Sequence, residues 1–129
     1  ILIDQSPREN AAPVRFFGQS CWGTIGPVMA AARAKAPIHT VTFVRQPDDT
    51  YVLTFSPAIE LVHSGDLHRD MEANCQRCQD AIEVFVRKYP EQWLWAHRRW
   101  KPRPRLESEW AARRERATAT TPPGAAPSP

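Results

Sequence analysis

The chain has 129 residues, 42% of them hydrophobic and 9% aromatic, with 17 Lys+Arg against 14 Asp+Glu for a formal net charge of +3. That length accommodates one modest domain, and 13 prolines against 5 glycines point to a packed core with a Pro-rich appendage rather than uniform disorder. Residues 98–116 hold eight Lys/Arg and three Glu, so the remainder sums to −2; this excludes a global basic coat of the kind that wraps nucleic acid and leaves one basic segment.

The longest apolar stretches, such as Pro27–Ala32 and Val84–Val86, fall far short of the roughly 18 residues of a spanning helix. No basic region followed by an apolar one marks export. The opening Ile1-Leu2-Ile3-Asp4 reads as the interior of a buried strand, and predicts that the chain is the C-terminal piece of something longer. A polar loop, Gln5–Ala12, leads to a second strand at Val14–Phe17. Gly23, Gly26 and Pro27 then punctuate a turn into an alanine-rich helix, Val28–Ala36, with Thr24 near its cap and Pro37 as its stop. The β-branched and aromatic runs Ile38–Val44 and Tyr51–Phe55 flank Gln46-Pro47-Asp48-Asp49-Thr50 and predict a hairpin or neighbouring strands. Asp66 is placed to cap a long helix, Leu67–Tyr89, which Pro90 ends while opening a short helix through Trp93 and His97. Strand, helix, strands and helices spell an α/β layered domain. From Pro104 the pattern fades, and Ala117–Pro129, with only Ala, Thr, Pro, Gly and Ser, reads as a disordered tail. The predicted division is therefore 1–103 for the domain and 104–129 for a basic, then Ala/Thr/Pro-rich, tail.

Three cysteines, at 21, 75 and 78, make an odd count with no disulfide framework. Cys75-x-x-Cys78 lacks a second paired half-site for zinc. Met71, Cys75, Cys78, Ile82, Phe85 and Tyr89 recur at steps of three and four, one face of an amphipathic helix, so the cysteines are expected in the core. Neither a P-loop nor a Gly-x-Gly-x-x-Gly fingerprint occurs.

Trp93, Trp95 and Trp100 interleave with His97, Arg98, Arg99 and Lys101. Aromatics beside cations suit a membrane–water interface or single-stranded nucleic acid. They equally suit a structural arrangement in which Trp93 and Trp100 pack on the domain while Arg98 and Arg99 lie in solvent.

The run Tyr89–Lys101, with Pro90-Glu91-Gln92-Trp93 and Trp95-x-His97-Arg98-Arg99-Trp100-Lys101, resembles the C-terminal signature of the bacterial lipid A biosynthesis (lauroyl/myristoyl) acyltransferases. Asp4-Gln5, Val14-x-Phe16-Phe17-Gly18, Thr24 and Val44-Arg45 fall in that family's order, so the likeness covers about residues 1–104. Trp100, Pro102 and Gln79 stand where Phe, Thr and Asn are commoner. The resemblance implies the C-terminal part of a glycerol-phosphate-acyltransferase-like sheet flanked by helices. It also implies transfer of a fatty acyl chain from acyl carrier protein, or coenzyme A, to a hydroxyl of a lipid A precursor at the cytoplasmic face of the inner membrane. No cofactor is expected beyond that thioester donor. Members of the family act through His-x4-Asp or His-x4-Glu, where a carboxylate orients the imidazole that takes the acceptor's proton. Five residues on from His39, His63, His68 and His97 stand Val44, His68, Ala73 and Pro102, so the motif is expected upstream, together with a membrane anchor.

Among the residues present, the loop carrying Phe17 and Gly18 and reaching Thr24 is a candidate for placing backbone N–H groups near an anionic acceptor or a thioester carbonyl; its plain alternative is an ordinary strand–helix turn. Arg45 is a candidate phosphate clamp, or the partner of Asp48 or Asp49 in a surface ion pair. His97, Arg98, Arg99 and Lys101 are candidates to meet acidic acyl carrier protein or lipid phosphates. Rival readings are an acyltransferase for another glycolipid, or a truncated, non-catalytic module that binds a membrane surface or anions. Nucleic acid is not an expected partner.

Overall fold

The computed structural model describes residues 1–120. It is a small α/β fold with two separate two-stranded antiparallel sheets and three α-helices. Strand β1, Ala11–Phe16, pairs with β2, Gln19–Thr24, in a register that sets Phe16 opposite Gln19 and Ala11 opposite Thr24. The two connecting residues, Phe17 and Gly18, have φ of 52° and 74°, the doubly positive geometry that lets a two-residue turn follow the twist of its strands. Glycine reaches it freely; phenylalanine does so at a steric cost. Ala12, Val14 and Phe16 alternate inward from β1, and Cys21 and Trp22 join them from β2.

Helix α1, Gly26–Ala34, carries Pro27 in its first turn and ends on Lys35 in a left-handed conformation. Strands β3, Val41–Arg45, and β4, Tyr51–Phe55, form the second hairpin, the first of the two arrangements expected from the β-branched and aromatic runs. Helix α2, Leu67–Lys88, starts where the Asp66 carboxylate accepts the N–H groups of His68 and Arg69 at 3.0 and 3.2 Å, so the expected cap is present. Its predicted stripe packs on the first hairpin: Cys75 and Cys78 are buried, with Met71, Ile82 and Phe85 against the same core. All three cysteines are free, and burial pushes the Cys75 thiol up to about 12 and that of Cys78 up to about 11.

Four elements differ from the sequence expectations. Residues 1–3 are not a strand: among the described residues nothing pairs with them, and Ile3 offers its carbonyl to Gln79 Nε2 instead, at 3.1 Å. The segment after Gly18 is strand β2 and not a passage from strand to helix, because the Phe17-Gly18 turn folds it straight back. The short helix expected through His97 is a single 3₁₀ turn, Pro90–Gln92. Residues 104–120, expected as the start of a tail, form helix α3, Pro104–Thr120. Two apolar residues one turn apart, Leu106 and Trp110, are buried, and the Trp110 indole donates to the Ala11 carbonyl at 2.8 Å. The rest of the tail, residues 121–129, lies outside the described residues. Among the described residues no helix is long and apolar enough to cross a membrane.

Candidate functional site

The Phe17-Gly18 turn is held from two sides. Helix α2 reaches it with Gln76 and Glu83, seven residues apart and therefore on one face. Gln76 takes the Arg15 N–H at 2.7 Å and donates to the Arg15 carbonyl at 2.9 Å, extending the outer edge of β1 as another strand would. Glu83 accepts the Phe17 N–H at 2.6 Å. That bond, more than the neighbouring Arg87, holds the Glu83 carboxyl below its usual range, and a charge-assisted bond of this kind offsets the steric cost of the positive φ. The Arg87 guanidinium pairs with Glu83 and lies over the Phe17 ring, 4.6 Å from its centre. From the other side comes the Trp-rich segment. Trp93 and Trp100 sit 5.7 and 6.0 Å from the Phe16 ring, Trp95 6.2 Å from that of Phe17, and the Trp100 indole donates to the Phe16 carbonyl at 3.2 Å.

Arg99 lies beneath this turn, 1% exposed. Its two terminal nitrogens donate to the Trp22 carbonyl and, at 2.6 Å, to Gln79 Oε1, while its guanidinium stands 5.5 Å from the Phe16 ring centre. Burial makes its cation less favourable, and the Asp4 carboxylate partly compensates. The expectation that Arg98 and Arg99 both lie in solvent thus holds for Arg98 alone. A guanidinium with planar, divergent donors can tie β2 to α2 from inside the core, a use the charge pattern along the chain does not disclose. His97 is also engaged internally, its Nε2 accepting the Ser6 N–H at 3.0 Å.

The remaining candidates do not converge. Gly18 is exposed at the tip of the first hairpin, and Thr24 closes its opposite end, the full length of strand β2 away. The Thr24 hydroxyl faces the Gly26 N–H at 3.5 Å. Arg45 ends β3 with its side chain exposed and paired with Asp49, the ion-pair alternative, while its backbone N–H and carbonyl are both held by Gln92, at 2.8 and 3.1 Å. Among the described residues none of the four histidine rings hydrogen-bonds a carboxylate; His39, for instance, faces the Ser56 carbonyl at 2.9 Å. Among them, too, no group of three or more His, Cys, Asp or Glu could hold a metal ion.

What the sequence reading missed is an open apolar groove of about 710 Å³, bounded by the N-terminal residues, α1, β3 and Leu94, and lined by none of the eight candidates. Ala30, Ala31 and Ala34 give it a low floor, and Ile3, Val41 and Phe43 stand around it. The signal was present in the alanines of α1, which fill little space beside a bulky hairpin.

Residues 1–102 match the family model described as bacterial lipid A biosynthesis acyltransferase. The chain belongs to that family. The resemblance carried by the Phe-Phe-Gly turn and the Trp-x-His-Arg-Arg run is thus shown over most of the chain, and these motifs are the two halves of one packed unit around Phe16. No curated protein matches the sequence. The family match stops just short of α3, which adds to the fold by covering Trp22 with Trp110, ring centres 6.4 Å apart.

Proposed function

We propose that this chain is part of an enzyme that transfers a fatty acyl chain from acyl carrier protein, or coenzyme A, to a hydroxyl of a lipid A precursor in lipopolysaccharide biosynthesis. The observation that carries the reading is the family match over residues 1–102. The groove supports it: about 710 Å³ falls within the roughly 300–1,000 Å³ of small-ligand sites, and walls of alanine, isoleucine, valine and phenylalanine suit a hydrocarbon chain, which needs no hydrogen-bond partners. On this reading the domain is the C-terminal part of a glycerol-phosphate-acyltransferase-like sheet and works at the cytoplasmic face of the inner membrane. No histidine of this chain has a carboxylate five residues on, so its share is binding and positioning, and proton transfer falls to a residue outside it. Of the three turn candidates, Gly18, exposed at the hairpin tip, is the one left to meet the acceptor, since Glu83 holds the Phe17 N–H and Thr24 lies at the hairpin's other end. Arg45, whose ionic partner among the described residues is an exposed carboxylate, exchanges Asp49 for a substrate phosphate.

The test is acyl transfer by the native polypeptide that carries these residues, with acyl carrier protein and coenzyme A thioesters offered separately and the lipid product read by mass. A gain of one acyl mass on the lipid A precursor is expected. Arg45→Ala should lower turnover without lowering the unfolding midpoint. No transfer from either donor overturns the reading.

A further inference from the structure

Two distant parts of the chain meet at Ser6. His97 accepts its N–H at 3.0 Å, and Arg103 donates to its carbonyl at 2.7 Å and to its hydroxyl at 3.3 Å. Ser6 is buried, so this knot anchors the start of the chain, with Arg8 two residues on, against the segment that carries Arg98, Lys101 and Arg103. The Lys101 N–H closes a turn on the Arg98 carbonyl at 3.3 Å, which keeps that pair together. The crowding of like charge is felt at Lys101, where desolvation, then Arg103, Arg8 and Arg98, push the ammonium down from its usual range.

Among the described residues no carboxylate forms an ion pair with Arg8, Arg98 or Lys101. Of the nearby acids, Glu107 accepts the Arg103 backbone N–H at 3.2 Å, Glu109 pairs with Arg105 at 2.8 Å, and the charges of Glu9 and Asp4 act on Arg105 and Arg99. Cations gathered without internal counter-charge repel one another and favour an external anion. Cations alone would suit an acidic protein as well as a lipid surface. The exposed apolar groups on the same short segment favour the lipid: Leu94 is 71% exposed and Trp95 53%. The Trp95 indole N–H is held by the Pro90 carbonyl at 2.7 Å, so its ring is presented in a fixed pose. Indoles beside cations match the headgroup boundary of a bilayer.

We propose that Arg8, Arg98, Lys101 and Arg103 form a docking surface for the anionic headgroups of a phospholipid membrane, with Trp95 and Leu94 entering the headgroup boundary beside them. The inference deepens the proposed work at a membrane face and rests on that part of the reading, not on acyl transfer itself, since such a surface would hold the domain to a membrane whatever reaction it performs.

The test is co-sedimentation of the protein with vesicles of phosphatidylcholine alone and of phosphatidylcholine mixed with phosphatidylglycerol. Binding is expected only to the mixed vesicles and should weaken as salt is raised. Each lost cation should lower the partition coefficient about five-fold, so the double variant Arg98→Ala/Lys101→Ala should lose about 25-fold. Arg33→Ala, on α1, should bind as the parent does, and matching thermal unfolding of all variants shows that the fold is kept. Trp95→Ala should weaken binding while leaving its salt dependence unchanged. Equal binding to neutral vesicles, no binding at all, or a double variant that binds like the parent overturns the proposal; salt-sensitive capture of an acidic protein without vesicle binding does so too and assigns the surface to that other partner. The assay contains no acyl donor, so its failure leaves the acyl-transfer reading untouched.

Discussion

The two hairpins of this domain are both antiparallel pairs of short strands and end in opposite situations. In β1–β2 the inward side chains lie under α2, Gln76 and Glu83 hydrogen-bond its outer edge and turn, and Trp100 and Trp110 donate to carbonyls at its two ends. In β3–β4 only Val44 is buried; every residue of β4 is exposed, and Gln92 is the side chain that anchors the backbone of Arg45. The strand-favouring residues are concentrated in the less covered hairpin: β3 and β4 are runs of β-branched and aromatic residues, whereas β1 and β2 include alanine, proline, glycine, glutamine and serine. What covers the faces decides how much each contributes to stability, since a two-stranded hairpin in water is marginal by itself.

The contrast can be broken with one residue type. Phe16 is fully buried and Phe55 is 63% exposed. Phe16→Ala should cost about 3–5 kcal/mol in urea unfolding, and Phe55→Ala less than about 0.5 kcal/mol; similar losses at both positions would show that the second hairpin is covered in solution. Next in size is Arg99→Lys. An ammonium cannot reproduce the forked donation to Trp22 and Gln79, so a loss of about 2–3 kcal/mol is expected, with Arg98→Lys as the exposed comparison changing stability negligibly. The smallest effect concerns Glu83. Its folded-state pKa lies below the ordinary 4.5, so the stabilisation it provides is fully present above that pH and is lost as pH falls through the lowered value. Glu83→Gln should cost about 1 kcal/mol at neutral pH and make the fall in unfolding midpoint at pH values below the ordinary 4.5 shallower. An unchanged acid limb would remove Glu83 from the support of the turn.

Much of the scaffold was legible in the sequence because its signals are local. The Asp66 cap, the stripe through Cys75 and Cys78, Pro90 as a stop and the runs flanking Pro47 each declare themselves within a few residues. Strand β2 was not legible: Gly23 sits within it, and the turn before it pairs glycine with phenylalanine where asparagine or aspartate would advertise the reversal. Helix α3 was hidden because its buried face is two residues, Leu106 and Trp110, in a charged sequence. Arg99 was misplaced for a reason of another kind. Arg98-Arg99 looks like a solvated pair, and only the tertiary fold supplies the carbonyl and the amide oxygen that let one of the two be buried. The groove is likewise a property of assembly, formed between elements and named by no motif.

The tie between chain ends at Ser6, and that between Ala11 and Trp110, joins residues 91, 97 and 99 positions apart. Contacts of that span close late, because the loop entropy is spent before they form. A nascent chain that has cleared the ribosome only as far as α2 therefore holds its first hairpin with one rim of Trp22 and the Ala11 carbonyl uncovered. Completion waits for residue 110, which makes the stretch from His97 to Trp110 the latch of the domain during synthesis and its earliest point of failure when the end of the chain is lost.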